Sequence, residues 1–101
     1  MNSIKEIPVS DAIELMTDEN TIVIDVRNEI NFQMGHIEGS IHMDNAKFPL
    51  FVQDTPKDKT IIVVCYHGNN SLSIAQYLHI QGFKKAYSLI GGYESWIAAN
   101  D

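Results

Sequence analysis

The sequence predicts an α/β fold built on a mainly parallel five-stranded sheet, and three observations carry that prediction. Ile61–Val64 is a continuous apolar run, the pattern of a strand buried on both faces, and Thr21–Val26 is an apolar, β-branched stretch that carries Asp25 near its end. Short strand-like runs alternate with short helix-like runs along the chain, which implies βαβ units and parallel pairing. The second apolar run ends at the only cysteine, Cys65, followed by a polar loop with a glycine and then a helical pattern. In open α/β sheets, ligands bind outside the carboxyl ends of such strands.

Taken in order, Ile4–Ile7 reads as an edge strand closed by Pro8. Ser10 suits the N-cap of a helix over Asp11–Met16, with acidic residues in its first turns as the helix dipole prefers. Thr21–Val26 is the next strand and leads into Arg27. Glu29–Met34 is a short helix stopped by Gly35. Ser40–Met43 is a short strand. Ala46–Gln53 is amphipathic but carries Pro49, so a short or broken helix is expected. Ile61–Val64 is the central strand, and Ser71–Gln81 is a helix with Gly82 at its C-terminal end. Ala86–Ile90 is the last strand, and Gly91-Gly92 opens a terminal helix over Tyr93–Ala99. No repeat, linker or low-complexity segment interrupts this alternation.

With 101 residues, 45% of them hydrophobic, the chain reads as one domain over residues 1–101 with a core that needs no staples. A single cysteine excludes an intrachain disulfide. No signal peptide is expected from Met1-Asn2-Ser3-Ile4-Lys5-Glu6. No apolar stretch approaches the ~18 residues of a membrane span, so a cytoplasmic location is expected. The formal net charge of −6 argues against nucleic acid or an anionic membrane as partner. Four scattered histidines and one cysteine show no metal-ligand spacing, and no cofactor is expected. Gly91-Gly92 lacks the lysine of a phosphate-binding loop, so helix initiation is its reading.

The loop from Cys65 to Asn70 is where chemistry is expected. Gly68 permits tight curvature. Backbone N–H groups curled toward the sulfur, with a helix N-terminus behind them, favour the thiolate. His67 is a candidate to orient a bound substrate. Asp25 and Arg27 read as structural, with Arg27 pairing with a nearby carboxylate and bracing the loop. His36 reads as a supporting residue, and His42 and His79 as surface residues. Trp96, Tyr93 and Tyr77 read as core or half-buried aromatics. Phe48, Leu50 and Phe51 read as core, or as an apolar patch near the loop on which a partner protein docks.

Three separated motifs then resemble a known family. They are Ile24-Asp25-Val26-Arg27 with Phe32 and Gly35-His36-Ile37-Glu38-Gly39-Ser40; Val64-Cys65-Tyr66-His67-Gly68-Asn69-Asn70-Ser71; and Gly91-Gly92-Tyr93-Glu94-Ser95-Trp96. In this order they resemble rhodanese domains, and specifically the small single-domain thiosulfate sulfurtransferases of the GlpE type. The resemblance implies a five-stranded parallel sheet in the order 1-5-4-2-3 with helices on both faces. It implies double-displacement sulfur transfer, with Cys65 as the catalytic persulfide carrier. Tyr66, His67, Gly68, Asn69, Asn70 and Ser71 would bind the substrate, and Asp25, Arg27 and His36 would support them. The implied donor is thiosulfate. The implied acceptor is a small thiophile such as cyanide or a thiol, or a thioredoxin-like protein.

Two other readings compete with this one. One is a non-enzymatic interaction module: catalytically dead rhodanese domains typically lack the cysteine, and because Cys65 is present the form this alternative takes here is a persulfide-carrying or redox-sensing module. A cysteine phosphatase or arsenate reductase needs a guanidinium six positions after its nucleophile to grip oxyanions bidentately; here that position is Ser71. The chain departs from larger thiosulfate-specific members in having no lysine or arginine in the loop, and from many members in lacking a proline within Ser40–Asn45.

Overall fold

The computed structural model describes residues 5–100, apart from the side chain of residue 69. In chain order its elements are β1 (Glu6–Ile7), α1 (Val9–Leu15), β2 (Thr21–Asp25), α2 (Glu29–Met34), β3 (Ile41–His42), α3 (Phe48–Asp54), β4 (Thr60–Val64), α4 (Asn69–Ile80), β5 (Ala86–Leu89) and α5 (Gly92–Ala99). The five strands form one sheet in the order β1-β5-β4-β2-β3, and every neighbouring pair is parallel.

All five residues of β4 are buried. Successive strand side chains point to opposite faces, and both faces of β4 are covered. Ile61 and Val63 join Ile24, Ala75, Leu78 and Phe83 in a core under α3 and α4. Ile62 and Val64 join Ile7, Ala12, Val23 and Leu89 in a second core under α1 and α5. This two-sided burial is why the strand reads as an unbroken apolar run. Each fully buried aliphatic side chain contributes about 1.5–3 kcal/mol.

The register positions the functional edge. Asp25 of β2 lies opposite Val64 of β4, and the Val26 N–H donates to the Val64 carbonyl at 2.9 Å. The two strands therefore leave the sheet side by side, one through Arg27 and the other through Cys65 and Tyr66.

Several local expectations are corrected. The edge strand is Glu6–Ile7, and Ile4 lies outside the described residues. Ser10 is not the cap of α1, which begins at Val9 behind an extended Pro8. The Pro8 carbonyl accepts the Ala12 N–H at 2.9 Å, and Ala12 is fully buried, so docking overrode capping preference. Of the short or broken helix expected around Pro49, the structure has the short one, over Phe48–Asp54 instead of Ala46–Gln53, with Pro49 in its first turn, where a missing N–H costs nothing. His42 is buried, whereas Ile41 beside it is 49% exposed. The His42 Nε2 meets the Arg27 carbonyl at 2.8 Å, and its ring lies against Phe32. A two-residue edge strand is too short for its apolar pattern to decide which side faces inward. His79 is half-buried. Tyr77 is exposed, although its ring meets Phe48 edge-on at 6.1 Å. Phe48 and Phe51 pack half-buried against the first core, while Leu50 is exposed.

Candidate functional site

Cys65 follows the last residue of β4 and is buried. Its Sγ accepts the Gly68 N–H at 3.1 Å and the Ser71 N–H at 3.3 Å. The thiol also lies 3.1 Å from the Ser71 hydroxyl, as donor to its Oγ. Gly68 makes this curl possible. It has φ 92° at the N-cap of α4, a conformation glycine adopts without strain. A Cβ there would stand 3.0 Å from the Gly91 nitrogen and 3.2 Å from the Leu89 carbonyl. The helix starts at Asn69, two residues earlier than expected, so its first turn forms part of the cradle around the sulfur.

A second helix end holds the loop from behind. The Tyr93 N–H donates to the Cys65 carbonyl at 2.7 Å, and the Glu94 N–H to the Tyr66 carbonyl at 3.3 Å. These bonds turn the loop carbonyls toward α5 and away from the sulfur. They require close approach: a Cβ on Gly92 would sit 2.4 Å from the Cys65 carbonyl oxygen. The terminal glycine pair therefore does more than initiate a helix.

In front of the sulfur opens a cleft of about 280 Å³, lined by Val26, Arg27, Asn28, Cys65, Tyr66, His67 and Asn70. Tyr66, His67 and Asn70 are exposed. The His67 Nδ1 lies 3.0 Å from the Glu94 carboxylate, and both side chains are largely in solvent. Arg27 is held tightly. Its Nε and Nη2 donate to the Asp25 carboxylate at 2.7–3.1 Å, and Nη2 also donates to the Gly35 carbonyl at 2.7 Å. Its guanidinium carbon lies 4.1 Å from the Tyr93 ring centre and 5.7 Å from that of Tyr66. Asp25 and Arg27 are both buried. Much of the guanidinium charge is therefore already matched by Asp25, and the cleft carries a cation whose donors are mostly committed.

The expected site residues thus divide. Cys65, Tyr66, His67, Asn70 and Arg27 meet at the cleft. Gly68 and Ser71 reach the sulfur from behind. Asn69 contributes backbone to the first turn of α4, and Asp25 acts on the cleft through Arg27. His36 is not among the lining residues; it is exposed, stacked on Phe32 at 3.8 Å, with Nδ1 2.7 Å from the Phe32 carbonyl. Three polar neighbours of the site were not among the expected residues. Asn28 lines the cleft and caps α2, accepting the Asn31 N–H at 2.9 Å; an Asn directly before a helical run was its signal. Glu94 faces His67. Ser88 is fully buried on β5 and lies 2.6 Å from the Ser71 hydroxyl; its signal was a lone polar residue inside a buried strand.

A family model described as Rhodanese-like domain matches residues 8–99. Thiosulfate sulfurtransferase GlpE of Pseudomonas putida is 44% identical over 97% of this chain and 89% of its own length. The protein of that name from Coxiella burnetii is 40% identical over 93% of this chain and 88% of its own. The rhodanese-related protein of Thermoplasma volcanium superposes with a TM-score of 0.80 at 27% identity, covering 94% of this chain and 92% of that one.

Proposed function

The chain belongs to the rhodanese-like domain family, and we propose that within it the protein is a thiosulfate sulfurtransferase working through a persulfide on Cys65. The observation that carries this reading is the sulfur of the only cysteine, seated in two backbone N–H groups at the floor of an open cleft. Donors aimed at a sulfur favour negative charge on it. In the first step, the Cys65 thiolate attacks the outer sulfur of thiosulfate. The S–S bond of the donor breaks, sulfite leaves with the electron pair, and Cys65 carries a persulfide. In the second, a thiophilic acceptor attacks the terminal sulfur and the pair returns to Cys65. Cyanide serves as acceptor in an assay; a thiol or a reduced thioredoxin-like protein suits the cell. This is covalent catalysis in two half-reactions, with ping-pong kinetics expected.

A phosphatase reading has little support. The chain has one arginine, and it is committed to Asp25 and Gly35. The position where a phosphatase needs its guanidinium holds the buried Ser71. A free, reactive thiol suits a reducing compartment, and among the described residues no helix is long and apolar enough to cross a membrane.

The test is intact mass after incubation with thiosulfate in the absence of reductant. The expected result is a gain of one sulfur atom, reversed by cyanide with release of thiocyanate. Cys65→Ser should show neither. Thiocyanate formation retained in that variant would sink the mechanism. An adduct that cyanide cannot discharge would favour the persulfide-carrying module instead.

A further inference from the structure

We propose that Ser88, on β5, is a positioning residue that acts through the Ser71 hydroxyl to hold the Cys65 sulfur as the leaving thiolate when the persulfide is discharged; this rests on the sulfurtransferase reading above. The geometry is a chain of buried polar atoms behind the sulfur. Cys65 Sγ lies 3.1 Å from Ser71 Oγ, Ser71 Oγ lies 2.6 Å from Ser88 Oγ, and Ser88 Oγ lies 3.4 Å from the Gly68 carbonyl. Ser71 and Ser88 are both fully buried, so water does not complete their hydrogen bonds.

Each hydroxyl carries one proton, so the chain has a direction. With a thiol, the S–H donates to Ser71, Ser71 to Ser88, and Ser88 to the Gly68 carbonyl. With a thiolate, the direction reverses: Ser88 donates to Ser71, and Ser71 donates to the sulfur. The short Ser71–Ser88 bond survives in both states, and only hydroxyl protons rotate. In the reversed state both O–H dipoles point at the anion. Chained hydrogen bonds polarise one another, so Ser88 makes Ser71 the stronger donor.

The two half-reactions use this device unequally. In the persulfide, Sγ is neutral and unprotonated, and the charge sits on the outer sulfur in the cleft. When the acceptor attacks that outer sulfur, the S–S bond breaks and its electron pair settles on Sγ. The nascent thiolate then gains three donors: the Gly68 N–H, the Ser71 N–H and the Ser71 O–H. No proton is transferred and no oxidant is needed. In the charging step the same donors bind the starting thiolate, so they do not lower that barrier. A better-stabilised thiolate leaves faster but attacks no faster.

The experiment is single-turnover kinetics on wild type, Ser71→Ala, Ser88→Ala and the double variant. It is run at a pH where alkylation of Cys65 has levelled off in every one. Charging by thiosulfate and discharge by cyanide are followed separately by intact mass. Discharge is expected to slow about 10-fold in Ser71→Ala, the scale of one hydrogen bond to a charged group. It is expected to slow about 3-fold in Ser88→Ala, the lesser effect of removing only the support. Charging at saturating thiosulfate should not slow in either variant and should quicken by about 3-fold at most, because a less stabilised thiolate is the better nucleophile. The double variant should discharge no more slowly than Ser71→Ala, because Ser88 acts only through that hydroxyl. Equal slowing of both half-reactions, or a Ser88→Ala effect that persists without the Ser71 hydroxyl, overturns the proposal. If Ser71→Ala does not fold, Ser88→Ala alone decides: selective slowing of discharge supports the relay, and unchanged discharge overturns it. A wild-type protein that takes up no sulfur counts against the sulfurtransferase reading itself. A charged wild type with unaffected variants counts against the relay alone.

Discussion

The two sides of the Cys65 sulfur are built from opposite materials. Behind it stand Ser71, Ser88 and the helix ends of α4 and α5, packed against a fully buried strand. In front lie Tyr66, His67 and Asn70, exposed around an open cleft. The rear groups are fixed by three elements at once, and their donors are aimed before any substrate arrives. The front groups stand in solvent, where charge is screened. On the function proposed above, the difference is a division of labour: the rear would hold charge on sulfur, and the front would select what reaches it. It also predicts where substitutions are costly, because a buried group left without its partner costs its full desolvation, while exposed charges interact weakly through solvent.

The comparison breaks most visibly at the buried ion pair. Asp25→Ala would leave the Arg27 guanidinium, 3% exposed, without a counter-charge. The expected loss is about 3–5 kcal/mol of stability, measured by urea unfolding at neutral pH. A loss below about 1 kcal/mol would mean that the flank of the site is wet and not rigid.

Next in size is Gly92→Ala. Its φ is +63°, and the added Cβ would meet the Cys65 carbonyl oxygen at 2.4 Å. The expected cost is roughly 2–4 kcal/mol from backbone strain and overpacking. Sulfur uptake from thiosulfate should slow with it, because the loop carbonyls must shift. Wild-type stability and uptake together would show that α5 does not brace the loop.

The smallest effect belongs to the front. His67→Lys adds a fixed cation at the cleft mouth of a protein whose net charge is −6. We expect KM for thiosulfate to fall about 3-fold at low salt, with the gain shrinking as salt rises. Stability should stay within about 0.5 kcal/mol, since the side chain is 62% exposed. Glu94, 3.0 Å from His67, will take up part of the new charge. A KM unchanged at low salt would mean that Arg27 already supplies all the attraction the anion feels.

Legibility in the sequence followed the same division between local and distant causes. β4 was legible because burial on both faces demands an unbroken apolar run, and Ile61–Val64 is one. Cys65 and Gly68 were legible because a thiol at a strand end and a glycine in a tight curl are local signals. The pairing of Arg27 was legible because a carboxylate stands two residues away. The start of α4 was not: Asn69 and Asn70 read as loop, because asparagine favours turns, and they form the first turn of the helix. Ser10 was misleading: its capping preference is worth only about 1 kcal/mol, and the burial of Ala12 beside Pro8 outweighed it. His42 was misread because a two-residue edge strand follows its neighbours. Here those neighbours are Phe32 and the Arg27 carbonyl.

Taken alone, the chain's residues determined an alternating α/β fold, a central buried strand and a single thiol at that strand's carboxyl end, followed by a loop able to curl. Each follows from periodicity or from one residue's conformational range, and both act over a few positions. Only the tertiary structure decided what surrounds the sulfur. Val63 pairs with Ser88, and that register brings a hydroxyl from β5 to within 2.6 Å of Ser71. Gly92 comes against the Cys65 carbonyl because α5 packs behind the loop. Neither contact has a local signature strong enough to name its partner. Register and packing are settled by how a whole sheet buries its two faces.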